Sequence, residues 1–100
     1  MAWTVFRVPS TKRAELDAVL RDDQVSRQSQ KLRDAAALGG PVGELYVLVE
    51  GGAEAVHRAE ELLGPVGIKL SGAEGEKVYQ TFKDEDESAS AGMGLFFTEG

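Results

Sequence analysis

The chain has 100 residues, a formal net charge of −6 and no cysteine. This length predicts one domain over residues 1–100. The lack of thiols excludes disulfides, thiolate metal sites and a cysteine nucleophile. Because Lys and Arg provide most of the affinity for nucleic acids and anionic lipids, the acidic balance argues against both as partners. Without a signal-peptide pattern or a long apolar stretch, the sequence predicts a cytoplasmic protein.

The first predicted elements are a strand and a helix. In WTVFRV, large or β-branched side chains occupy both faces, which is typical of a strand that is buried on both sides. Pro9 ends this strand, and the spacing that follows predicts a helix that stops near Asp22. The apolar face of this helix consists of Leu16, Val19 and Leu20.

The middle of the chain predicts a second strand, a helix and a short third strand. ELYVLVE alternates large side chains on both faces and is followed by Gly51 and Gly52. AEAVHRAEELL has helical spacing and ends at Gly64 and Pro65. The β-branched residues of VGIKL predict a short strand. A third helix is predicted to begin after Ser71. The inward side of the third helix is predicted to be Val78, Tyr79 and Phe82.

Residues 26–38 allow two interpretations. Propensity favours a helix, because this segment contains no β-branched residue. Topology favours a strand, since a strand paired with ELYVLVE through the turn at 39–43 would complete a ferredoxin-like βαββαβ sandwich. We therefore predict an α+β, ferredoxin-like core over about residues 3–70, with an added C-terminal helix and apolar tail over 71–100. If the segment is helical, the class is still α+β.

Such a sandwich leaves one face of its sheet without helices, and both apolar strands carry large side chains toward that face. The C-terminal helix, the segment Phe96–Phe97 or the sheet of a second copy could cover it, and we expect the helix to do so. The helix is predicted to end at Gly92. The apolar residues Met93, Leu95, Phe96 and Phe97 then either fold back on their own domain or form an interface with a second copy or another protein.

Few residues suggest catalysis. His57, the only histidine, lies on the polar side of its helix without a nearby nucleophile. The acidic residues 84–87 spread around a helix and lack the glycine that bends a divalent-metal loop, so we interpret them as a solvated face. The sequence therefore predicts no catalytic residue, no metal site and no cofactor.

Two stretches carry resemblances to known families. Residues 43–65 resemble the third-strand and second-helix region of acylphosphatases, which implies a βαβ unit but not the activity. The place of the family's Gly-rich catalytic loop with its Arg reads VPSTKRAEL, and the chain contains no Asn for the family's water-orienting residue. Through LYVLVEG, RAEELL and ASAGMG, the chain also resembles a family of small uncharacterised archaeal proteins, which implies no activity.

These observations favour a non-catalytic interaction or oligomerisation module, with a homodimer or another protein as partner. The alternative is a small-molecule binding or sensor domain of the ACT type. In that case the backbone N–H groups of Gly51 and Gly52 would bind a carboxylate or phosphate at the start of a helix. Hydrolysis of acyl phosphates is disfavoured by the missing catalytic groups.

Overall fold

The computed structural model describes the backbone of residues 1–99 and the side chains of residues 1–85. Its main elements in chain order are β1 (Ala2–Pro9), α1 (Arg13–Leu20), β2 (Ser29–Asp34), β3 (Glu44–Gly51), α2 (Ala53–Leu63), β4 (Ile68–Leu70) and α3 (Gly72–Glu99). The strands form one four-stranded antiparallel sheet in the order β2-β3-β1-β4. The chain therefore has an α+β fold.

The strand β2 lies within the ambiguous segment 26–38, as the topological argument predicted. It pairs with β3 along its whole length, from Ser29 opposite Glu50 to Asp34 opposite Leu45. The hydrogen bonds of this pairing satisfy the backbone N–H and C=O groups of the segment, so the strand is stable although its residues have a higher propensity for a helix. After β2, a short 3-10 turn ends at Gly39, whose φ of 83° is in the left-handed region that favours glycine.

One face of the sheet packs against α1 and α2. Strand residues of this layer alternate with those of the opposite face, so the two-sided character predicted for β1 and β3 is confirmed. The layer also contains the apolar side predicted for α1. Its most buried members include Phe6, Val8, Leu16, Val47, Ala59 and Leu63.

The other face packs against α3. Tyr46, Leu48 and Leu70 of the sheet contact this helix layer. The helix contributes Val78 and Phe82, and Phe82 is only 2% exposed. The C-terminal helix therefore covers the face that α1 and α2 leave open, as expected, and the described chain has three layers.

The end of α1 lies close to the position predicted near Asp22, whereas the end of α3 differs from its prediction. The helix α1 ends at Leu20, because the Asp22 carboxylate accepts the backbone N–H groups of Gln24 and Val25 and turns the chain. The helix α3 continues past Gly92 to Glu99. A glycine inside a helix costs about 1 kcal/mol relative to alanine, which is too little to end a helix by itself. Within the described residues, no helix combines the length and apolar character needed to cross a membrane.

We expect Phe82→Ala to lower the free energy of unfolding by about 3 to 5 kcal/mol, because it leaves a cavity between α3 and the sheet. Chemical denaturation followed by circular dichroism would measure this loss. The matched control is Gln80→Ala on the exposed side of α3, for which we expect a change within about 0.5 kcal/mol. Equal effects of the two substitutions would show that α3 does not seal this face.

Candidate functional site

Glu50 joins the end of β3 to α3. Its carboxylate accepts hydrogen bonds from the Tyr79 hydroxyl and the Lys83 ammonium, both at 2.7 Å. Only 12% of the Glu50 side chain is exposed, so these donors replace much of its hydration. The bond from Lys83, followed by that from Tyr79, holds the pKa of Glu50 below its ordinary value against the opposing effect of burial.

Tyr79 links this carboxylate to an aromatic stack. The rings of Trp3 and Tyr79 are nearly parallel, with centroids 4.3 Å apart, and the Lys83 nitrogen lies 5.3 Å from the Tyr79 ring centroid. The hydrogen bond to Glu50, with burial, raises the pKa of Tyr79. The phenol therefore stays protonated at neutral pH, and the cluster acts as a clamp between β1, β3 and α3 rather than as an acid–base pair.

The glycines predicted to bind a ligand follow Glu50 directly. Gly51 is buried at the end of β3, and Gly52 is exposed at the start of α2. The Gly52 N–H donates to the Gln28 side-chain oxygen at 3.3 Å, and a Cβ on Gly51 would overlap the same side chain. The Gln28 side chain thus accepts a hydrogen bond from the Gly52 N–H group, which was expected to bind an anion. Ligand binding by Gly51 and Gly52 stays a prediction.

Asp22 and Arg58 connect the end of α1 to α2. The Arg58 guanidinium donates to both carboxylate oxygens of Asp22, at 2.8 and 2.7 Å. The bond from Arg58 is the largest cause that lowers the pKa of Asp22, which falls to about 2. This pair joins residues 36 positions apart and gave no signal in the sequence pattern.

The described part of the acidic run attaches α3 to the sheet edge. Glu85 accepts a hydrogen bond from Arg33 of β2 at 2.5 Å, and Asp84 accepts one from Gln80 at 3.0 Å. The interpretation of the whole run as a solvated face is therefore incomplete, because Glu85 has a partner in β2. In the part of the chain with described side chains, no three acidic or histidine residues converge as a metal site would require.

The remaining residues considered in the sequence are His57 and the apolar residues near the end of the chain. His57 lies on the outer side of α2, 73% exposed, with its Nε2 atom 3.6 Å from the Glu61 carboxylate. This is a helix-surface pair at four-residue spacing. The predicted interface residues Met93, Leu95, Phe96 and Phe97 lie outside the residues whose side chains the structure describes, so their role stays a prediction.

A cleft of about 300 Å³ opens between the 38–41 loop and α3. The floor is Tyr46, and the helix wall consists of Glu74, Lys77, Val78 and Thr81. Lys77 and Val78 follow Glu74 by three and four residues and precede Thr81 by four and three, so the four residues share one helix side. Sequence analysis missed the cleft, because no pattern relates this side of α3 to a loop more than 30 residues earlier.

Comparison with known protein families, with curated proteins and with solved structures gives no match for this chain. The sequence resemblances to acylphosphatases and to the archaeal family therefore stay predictions. The side-chain contacts described above are therefore the basis for proposing a function.

We expect Asp22→Asn to reduce thermal stability strongly near neutral pH and less as the pH falls. The pKa of Asp22 is about 2 in the folded chain, against an ordinary value of 3.8. A lower folded pKa adds stability that is fully present above the ordinary value and is lost as the pH falls through the folded value. Melting of both proteins by circular dichroism at about pH 6 and about pH 2.5 would measure the difference.

Asp23→Asn is the control for that experiment, since Asp23 is 88% exposed and pairs with Arg27 on the surface. It should change the melting temperature little at either pH. A difference between wild type and Asp22→Asn that is unchanged or larger in acid would contradict the assignment of the low pKa to the Arg58 pair.

We also expect Glu50→Gln to lower the pKa of Tyr79, because the hydrogen bond to the carboxylate is the main cause that raises it. The chain has two tyrosines, so the comparison is made in a Tyr46→Phe background. Alkaline titration of phenolate absorbance measures the pKa, with circular dichroism to confirm that the fold persists. Glu76→Gln, on the exposed side of α3, should leave the titration unchanged, and a shift there of equal size would refute the specific contact.

Proposed function

We propose that this chain is a non-catalytic interaction module of ferredoxin-like architecture, in which the end of α3 contacts a second copy. The element order and the sheet order β2-β3-β1-β4 support that architecture. The observation that carries the functional proposal is the length of α3. Among the residues whose side chains are described, the last contacts of α3 with the sheet come from Phe82, Lys83 and Glu85, and the helix continues to Glu99.

The sequence of this distal part fits a helix contact between copies. Phe96 and Phe97 follow Met93 by three and four residues, so these three positions share one side of a helix, whereas the position of Leu95 falls on the opposite side. From Phe82 to Glu99, a helix extends by about 25 Å. An apolar side at the end of such a helix is a common means of association, and the burial it provides stabilises a small domain.

The perturbed charged groups support a structural use of the domain rather than catalysis. Asp22 is bound by Arg58, and Glu50 is bound by Lys83. Shifted pKa values of this kind arise in ion pairs as well as in active sites, and here each carboxylate has its donors within the fold. The ACT-type alternative has less support at its predicted place, because Gln28 already accepts the Gly52 N–H.

We expect the full chain, with a mass of 10.7 kDa per copy, to be a dimer in solution and the double variant Phe96→Ser, Phe97→Ser to be a monomer. Light scattering after size exclusion, at two protein concentrations, measures the mass. Thr98→Ser is the control within the same helical turn and should remain dimeric. Circular dichroism must show that the double variant keeps its fold. A monomeric wild type, or a double variant that dimerises equally well, would contradict the proposal.

A further inference from the structure

We propose that the cleft between the 38–41 loop and α3 binds a small carboxylic acid with an apolar body. This site is separate from the end of α3 and does not depend on self-association. The hydroxyl of Tyr46 and the ammonium of Lys77 bind the carboxylate, and the walls of the cleft bind the apolar body.

The Tyr46 hydroxyl provides a hydrogen-bond donor beside the cleft. Tyr46 is only 5% exposed, and among residues 1–85 its oxygen has no hydrogen-bond partner. The hydroxyl oxygen is not among the buried side-chain atoms that lack a partner, so it is accessible from the cleft although the rest of the side chain is buried. The residue lines the cleft, so a molecule held there can accept this hydrogen bond.

The sheet surrounding Tyr46 is basic, but its cations are already engaged. Arg33 on β2 and Arg7 on β1 are the register neighbours of Tyr46 on either side. Arg33 pairs with Glu85, and Arg7 lies 3.5 Å from Glu44. Neither arginine lines the cleft, and the Arg7 Nε atom is buried without a hydrogen-bond partner among the described residues, so neither is a direct ligand there.

Lys77 provides the available positive charge. It lines the cleft from α3, and it has no ion-pair partner among the residues whose side chains are described. Glu74 is the one carboxylate among the cleft residues, and Arg7, which also lies near Glu44, is 3.8 Å from it and offsets part of its charge. A ligand carboxylate can thus pair with Lys77 and accept the Tyr46 hydrogen bond together.

The rest of the cleft is shaped for an apolar group of modest size. Leu38, Pro41 and Val78 line it, and Val78 is 7% exposed. A volume of about 300 Å³ is at the lower end of the range for small-molecule sites. The shape depends on Gly40, because a Cβ there would overlap the Tyr46 hydroxyl and displace the loop.

Benzoate is a suitable probe, with benzamide as its neutral isostere and acetate as the carboxylate without an apolar body. We expect benzoate to shift the amide resonances of Gly39, Gly40 and residues 77–81 of the ¹⁵N-labelled full chain in a saturable manner, with a millimolar or lower Kd. Benzamide should bind at least about fivefold more weakly, because it lacks the charge for Lys77. Acetate should bind more weakly still.

Two variants assign the contacts. Lys77→Ala should weaken benzoate binding about tenfold and leave benzamide binding unchanged. Tyr46→Phe should weaken both probes, because it removes the hydroxyl donor that they share. Lys12→Ala is the matched control, since this exposed lysine contacts the Pro65 carbonyl elsewhere in the fold and its loss changes the net charge equally.

The proposal is overturned if benzoate gives no saturable shift up to about 50 mM. It is also overturned if the shifts do not include the cleft, if benzamide binds as well as benzoate, or if Lys12→Ala weakens binding as much as Lys77→Ala. A dimeric or monomeric state of the protein has no bearing on these outcomes, so the failure of one proposal leaves the other intact.

Discussion

The structure depends on the fact that its two central strands are apolar on both faces. In the sheet, β1 and β3 lie between β2 and β4, and each sends large side chains to both sides. Two helices cover one side, so a third layer is needed on the other, and α3 provides it. A slip of one residue would exchange the two faces, so the same alternation also determines the register.

Polar contacts then orient α3 on the apolar layer that buries it. The helix is attached to β3 through Lys83 and Glu50, and to β2 through Glu85 and Arg33. The more exposed pair of Glu85 with Arg33 contributes little stability by itself, whereas Phe82 is buried and contributes more. The pairs therefore define the direction of the helix, and this direction leaves the cleft open beside Tyr46.

Sequence patterns within single strands and helices predicted much of the fold, but few of the contacts that join separate elements. The alternation in WTVFRV and ELYVLVE predicted both layers, and topology predicted the strand in residues 26–38 against its propensity. The pairs of Asp22 with Arg58 and of Gln28 with Gly52 could not be predicted, since they depend on how separate elements are rotated against each other. The end of α3 could not be predicted from Gly92 alone, because a glycine ends a helix only together with a left-handed cap geometry that the sequence does not reveal.

The position of the only tryptophan has a consequence for spectroscopy. Trp3 stacks on Tyr79 of α3 and lies outside the layer formed by α1 and α2. Its indole emission therefore senses the attachment of α3, whereas the far-ultraviolet signal sums over all helices. Because the sheet separates the two layers, α3 can open before the rest unfolds. Fluorescence and dichroism melts that do not coincide would then mark two cooperative units within this small chain.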